Sequence, residues 1–193
     1  MNLDTPTHIN NQFIAQSTAQ SIGLGTPFTE TFTLWFHSSS DLDWSINSYH
    51  EIFNFNTIDE FLTLLMAIYS RPKMLLNGMF FIMRQNIKPT WEDPVNRDGG
   101  CFTWKVEKED VLAAWENMCM LFMSGELNDV FDKYGFNGIS ISPKKTNNIL
   151  KVWLRVNPSD ANAENLIMPD KCCFSSAPRL YKSHQSTQTP NTE

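Results

Sequence analysis

Apolar positions along this chain change their spacing from segment to segment, and the spacing predicts the elements. Thr31-Phe32-Thr33-Leu34-Trp35-Phe36-His37 is β-branched and aromatic with partial alternation, which predicts a strand. A Ser/Asp-rich turn follows from Ser38 to Asp43, with Trp44 at its far edge. Residues 46–54 fit a second strand. Asn56-Thr57 then offers a helix N-cap, and Asp59 and Glu60 suit the positive end of the helix dipole. Phe61, Leu64, Leu65 and Ile68 recur at i, i+3, i+4 and i+7, so a helix is expected over 57–69, stopped by Arg71-Pro72.

Met79-Phe80-Phe81-Ile82-Met83 is apolar on both faces, which predicts a central strand. Lys88 to Gly100 is a long loop rich in proline and glycine around Trp91-Glu92-Asp93. Cys101 to Val106 alternates and reads as a strand. A second helix is expected over 108–123, with Leu112, Trp115, Cys119 and Phe122 inward. Gly138–Ser142 and Ile149–Val156 form a hairpin around a Pro-Lys-Lys-Thr-Asn-Asn turn. A short helix over 160–168 and a last strand complete the chain. Strands in runs with helices between them, and no glycine-rich nucleotide turn after the first strand, give an α+β single domain with a mainly antiparallel sheet. Helices would cover one face, leaving the other face and its loops for function. Residues 1–26 and 183–193 are polar without apolar period and read as flexible arm and tail around a domain over 27–182.

Composition narrows the function. The 193 residues are 41 % hydrophobic and 19 % charged, enough for a real core. A net charge of −6 argues against affinity that rests on neutralising many phosphates, so any nucleic-acid role needs a small shaped site. No apolar run approaches the roughly 20 residues of a membrane span, and Met1 to Gln20 lacks a secretory core. Cys101, Cys119, Cys172 and Cys173 have no C-x-x-C spacing, and the four histidines are scattered. No metal or other cofactor is therefore expected, and reduced thiols suit a cytoplasmic or nuclear protein. The unusual feature is 12 % aromatic residues, six of them tryptophans.

Two tryptophans, Trp44 and Trp91, stand in loops. They either plug the ends of the core or clamp a flat ligand between two rings. Stacking a base on an aromatic ring is worth about 1–3 kcal/mol, and a cationic ring gains more. Glu92 follows Trp91, and a carboxylate accepts two hydrogen bonds side by side. Guanine offers two such donors, N1–H and N2–H. Glu92 is otherwise a solvated loop residue.

Leu34-Trp35-Phe36, then Phe55-Asn56-Thr57-Ile58-Asp59-Glu60-Phe61, Ile87-Lys88-Pro89-Thr90-Trp91-Glu92-Asp93-Pro94 and Asn96-Arg97-Asp98-Gly99-Gly100 resemble the eukaryotic translation initiation factor 4E family. The likeness runs in order from about Pro27 to Trp153. It implies a curved antiparallel sheet like a cupped hand, with helices on the convex back. The implied function is binding of the 7-methylguanosine cap of messenger RNA in the concave side, simple or hypermethylated, in translation initiation or its regulation. Trp91 and Trp44 match the stacking tryptophans, although the loop before Trp44 is one residue short. Glu92 matches the carboxylate that reads guanine, and Trp153 the tryptophan against the N7 methyl group. Lys144 aligns with a phosphate-binding arginine, with Lys145 beside it. The family's lysine falls on Ile149, so Lys151 and Arg155 are the expected substitutes. Tyr181-Lys182-Ser183-His184 resembles a segment beside the cap over only four residues, too few to assign a role. The far end departs from the pattern, as in a short, divergent member such as a protozoan (trypanosomatid) paralogue.

A second apolar line, Ile58, Leu62 and Met66, lies outside the buried stripe of the first helix, with Met120 and Met123 on the second. Spare apolar residues on neighbouring helices form an interface or sit deeper in the core. The family uses this back to bind a helical Tyr-x-x-x-x-Leu-apolar segment of a factor 4G-type scaffold or a regulatory binding protein. Pro27, Ile58, Leu62 and Met120 are the implied contacts. Leu62 replaces the usual tryptophan and Glu116 an apolar residue, so an altered partner is expected. The competing reading is a translational regulator that has lost cap affinity and acts through this back surface. An enzyme is not expected: no nucleophile with an adjacent base and no phosphate loop is visible.

Overall fold

A computed structural model describes residues 25–157 and 166–185. Its elements in chain order are β1 (Pro27–Ser38), β2 (His50–Thr57), α1 (Ile58–Tyr69), a single turn α2 (Met74–Asn77) and β3 (Gly78–Arg84). Then come β4 (Gly100–Glu107), α3 (Val111–Met123), α4 (Glu126–Phe131), β5 (Phe136–Pro143), β6 (Asn147–Leu154) and β7 (Arg179–Ser183). The seven strands form one curved sheet in the order β2-β1-β3-β5-β6-β4-β7, with every neighbouring pair antiparallel. The α+β class expected from the pattern is the one found, and the doubly apolar β3 is central.

Alternation divides the sheet into two faces. Leu34, Phe80, Ile82, Phe102, Trp104, Ile139, Ile141, Leu150 and Val152 join the main core with Phe61, Leu65 and Ile68 of α1 and Trp115 and Cys119 of α3. Intervening positions make a smaller cluster on the helix-free face: Met79, Phe81, Met83, Cys101 and Trp153, with Trp35, Tyr49 and Val95 against it. Trp104 and Trp115 are fully buried core residues.

Local chemistry fixes the ends of α1. Thr57 Oγ1 accepts the Glu60 amide and the Glu60 carboxylate accepts the amides of Asn56 and Thr57, a complete capping box. Those bonds, above all the one from Asn56, hold the Glu60 carboxyl below its ordinary pKa. The Gly99-Gly100 pair sits where β4 squeezes between β6 and β7. A Cβ on Gly99 would lie 1.9 Å from the Leu154 carbonyl oxygen, and one on Gly100 2.3 Å from the Tyr181 hydroxyl.

Several expectations shift. Residues 46–48 are a 3-10 turn, and the second strand starts at His50. The second helix starts at Val111, and its inner face is broader than a four-residue stripe: Val111, Ala114, Met118 and Leu121 are buried, whereas Leu112 is half-buried. Helix α4, anchored by buried Leu127 and Phe131, was not expected. The hairpin turn is only Lys144-Lys145-Thr146, because β5 and β6 pair as far as Pro143 and Asn148. Of the helix expected over 160–168, residues 166–168 are irregular and the rest lie outside the described residues, as do 1–24 of the arm and 186–193 of the tail. The tail does not begin at Ser183: Ser183 ends β7 and His184 is buried.

Candidate functional site

The helix-free face holds a cavity of about 530 Å³. Its floor is Met79, Phe81, Cys101, Thr103 and Trp153, from β3, β4 and β6, and Trp44, Tyr49, Trp91 and Glu92 rise around it. Lys144, Lys151, Leu180, Lys182 and His184 also line it. Sequence reasoning nominated Trp44, Trp91, Glu92, Trp153, Lys144 and Lys151, and the fold brings these six together. Lys145 and Arg155 are exposed and are not among the lining residues. Lys145 is in the hairpin turn, and Arg155 lies past the end of β6, its amide donating to the Gly135 carbonyl. The strand ends one residue too early for face alternation to carry Arg155 into the cavity.

The Trp91 loop is fixed by two buried polar side chains. The Asp93 carboxylate accepts the amides of Lys88 at 3.1 Å and Val95 at 2.9 Å. Asn96 donates through Nδ2 to the carbonyls of Lys88 and Thr90, both at 2.9 Å, and its Oδ1 accepts from Asn137. The loop is therefore folded around Asp93 and Asn96, which leaves Trp91 half-buried and Glu92 exposed at the cavity.

His184 locks that loop to the sheet. Its Nδ1 lies 2.7 Å from the Asn96 carbonyl, which can only accept, so Nδ1 carries the proton. Nε2 then accepts from the Cys101 thiol at 3.3 Å. Burial, with help from Lys151 and Lys182 and against the Asn96 bond, holds the His184 pKa below its ordinary value, consistent with a neutral ring. Burial likewise pushes the Cys101 thiol up to about 12, against the pull of Lys151, so it remains a donor. Tyr49 is pushed up to about 12 by burial and by the Glu92 charge.

Charge in the cavity is divided. Glu92 brings one negative group, and Lys144, Lys151 and Lys182 bring three positive ones from the hairpin, β6 and β7. The Lys144 pKa is lowered, first by burial and then by the charge of Lys151. Lys151 Nζ is 5.7 Å from the centre of the Trp153 ring, whose Nε1 donates to Ser140 Oγ at 2.9 Å and fixes its plane. The ion pairs among the described residues, Arg84–Glu30, Arg97–Asp98 and Lys171–Glu126, all lie elsewhere. Lys182 and His184 were given no role from sequence. The only signal was their place in the four-residue likeness, and β7 pairs with β4 across about eighty residues of chain.

The family description "Eukaryotic initiation factor 4E" matches residues 27–193. This chain belongs to the eukaryotic initiation factor 4E family. It is 27 % identical over 135 residues to eukaryotic translation initiation factor isoform 4E of Arabidopsis thaliana, covering 67 % of each chain. It is 23 % identical over 168 residues to the Capsicum annuum isoform, covering 83 % of this chain and 81 % of the other. Among solved structures, C. elegans eIF4E-3 in complex with the 4E-binding protein Mextli and a cap analog superposes with a TM-score of 0.68 at 21 % identity, over 86 % of this chain and 96 % of that one. Ascaris suum eIF4E-3 with the m7G cap gives 0.66 at 20 %, over 85 % and 94 %. At these identities the superpositions establish the factor 4E fold.

The nominated partner residues lie outside the cavity. Ile58, Leu62 and Met120 are half-buried on α1 and α3, Met66 is 64 % exposed, and Pro27 opens β1 at the surface. Ile58, Leu62, Met66 and Met120 stand on the helices, and none of these residues or Pro27 lines the cavity.

Proposed function

We propose that this protein binds the 7-methylguanosine cap of messenger RNA and acts in translation initiation or its regulation, in the cytoplasm. The observation that carries this is the convergence of Trp44, Trp91, Glu92 and Trp153 with three lysines on one cavity of the helix-free face. In this reading the base stacks on Trp44 and Trp91, and Glu92 accepts N1–H and N2–H. Trp153, fixed through Ser140, packs against the methyl group. Methylation makes the base cationic, so it gains attraction to the two π faces that unmethylated guanine lacks. Lys144, Lys151 and Lys182 hold the phosphates, with Lys182 replacing the cation missing at Ile149. A local cluster of this kind lets a protein of net charge −6 hold a polyanion. The chemistry is recognition without turnover.

The reading that cap affinity has been lost has no support here, because the aromatic pair, the carboxylate and the cations all line the cavity. C. elegans eIF4E-3 is known in complex with a 4E-binding protein. By analogy, the face containing Pro27, Ile58, Leu62 and Met120 would take a helical segment of a scaffold or regulatory protein. The test of cap binding is parallel titration with 7-methyl-GTP and GTP, followed by tryptophan fluorescence. Strong quenching by the methylated ligand alone is expected. Silence in fluorescence and in calorimetry would remove the cap reading.

A further inference from the structure

Trp44 is 52 % exposed, yet one face of its ring is covered. The His37 imidazole lies against it with centroids 4.7 Å apart and planes 9° from parallel. His37 is itself fully buried, on β1, and its other contacts run inward. Its ring packs on Tyr49 at 4.5 Å, Tyr49 on Phe81 at 5.5 Å, and Phe81 edge-on to Trp153 at 6.2 Å. A column of ring contacts thus joins Trp44 to the cavity floor through His37.

The same histidine grips the backbone next to Trp44. Nε2 lies 2.9 Å from the Asp43 carbonyl oxygen, which only accepts, so Nε2 donates. Nδ1, among the described residues, is buried without a hydrogen-bond partner. Phenylalanine would stack without that orphan, so what imidazole alone supplies is the bond to Asp43. The rest of the loop is tied mainly to itself: Asp43 to Ser45, Ser48 to Asp43 and Ser45, and the Asp43 amide to Asp41.

We infer that His37 is the positioning residue for Trp44, setting the plane of one wall of the ligand site through a stack and a hydrogen bond. The inference rests on the cap-binding reading and goes beyond it: His37 would not touch the ligand and would act only through Trp44. Ordering a large side chain on binding costs about 0.5–1.5 kcal/mol, a factor of about 2 to 13 in affinity, and a pre-stacked ring avoids that cost.

The experiment is a double-mutant cycle on 7-methyl-GTP affinity with His37→Leu, His37→Phe and Trp44→Leu. It is read alongside the 19F resonance of Trp44 in 5-fluorotryptophan-labelled protein. His37→Leu is expected to weaken binding about five- to tenfold and to shift and broaden the Trp44 resonance even without ligand. His37→Phe, which keeps the stack and loses the bond, should fall between wild type and His37→Leu. In the Trp44→Leu background His37→Leu should have no further effect, an outcome general damage to the fold would not give. An equal loss in both backgrounds, or an unchanged affinity and Trp44 resonance in His37→Leu, overturns the inference and leaves cap binding standing. Failure of the wild type to bind 7-methyl-GTP overturns both.

Discussion

Trp91 and Trp44 line one cavity, but the loops that carry them are held differently. The Trp91 loop is wrapped around two buried side chains, Asp93 and Asn96, and is bonded to β5 through Asn137 and to His184, the residue after β7. The Trp44 loop is short, exposed and bonded largely within itself, and His37 is its grip on the sheet beside Trp44. Asp43 marks the contrast with Asp93: its carboxylate also accepts a backbone amide, from Ser45, which lowers its pKa, but it does so in full solvent. One wall is built before the ligand arrives. The other rests on one buried side chain, His37, and is otherwise held by bonds within an exposed loop.

The strongest test of that contrast is unequal loss. Trp91→Ala and Glu92→Gln should each weaken 7-methyl-GTP binding about a hundredfold, through lost stacking and lost paired acceptance. Trp44→Ala should cost about tenfold, because a ring that stays half in water gains less from stacking on a cationic base than a more desolvated one. Equal losses in calorimetry would break the comparison. Next in size is Asn96→Ala. It leaves two carbonyls and the Asn137 amide short of partners and should cost about 2–4 kcal/mol in urea unfolding. Asp43→Asn, in the exposed loop, should leave the urea midpoint unchanged.

A smaller effect separates the cation on β7. Lys182→Gln should weaken 7-methyl-GTP about fivefold, leave 7-methylguanosine nucleoside untouched, and lower the log–log salt slope by about one. An equal effect on the nucleoside would remove Lys182 from the phosphates. The smallest effect is the pH dependence contributed by His184. Its folded pKa lies below its unfolded value, so above about pH 6.5 the ring is neutral in both states and costs nothing. As pH falls below that, the unfolded chain takes the proton first and stability declines until the folded pKa is passed. Unfolding free energies measured from pH 8 to pH 5 should fall more in wild type than in His184→Asn. Parallel curves would deny the linkage.

Much of this was legible along the chain. Alternation with β-branched and aromatic residues marks β1, β3, β4 and the hairpin, because each strand buries at least one face. Asn56-Thr57 as N-cap, with Asp59 and Glu60 in the first turn, announces α1, because cap and dipole act within one turn. Trp91, Glu92 and Trp153 were found through spacing and likeness. By contrast, β7 is five residues of half-buried edge strand, with no pattern of its own to read. Arg155 had the right parity but lay past the last residue of the strand that would have given it meaning. Asn96 and His184 looked like loop and tail residues, and what ties them to the sheet is partners 41 to 88 positions away.

The sequence by itself determined the α+β class, the antiparallel hairpin, the central position of β3 and the residue types that suit a flat cationic ligand. Each follows from local periodicity, capping or chemical complementarity, which act within a few residues. Only the tertiary structure decided which cations share the cavity, that β7 closes its side through Lys182 and His184, and that His37 stands behind Trp44. Those facts depend on strand order and register. Pairing β4 with β7 carries residues near 183 to within hydrogen-bonding distance of residues near 99, and no local signal in the chain encodes that distance.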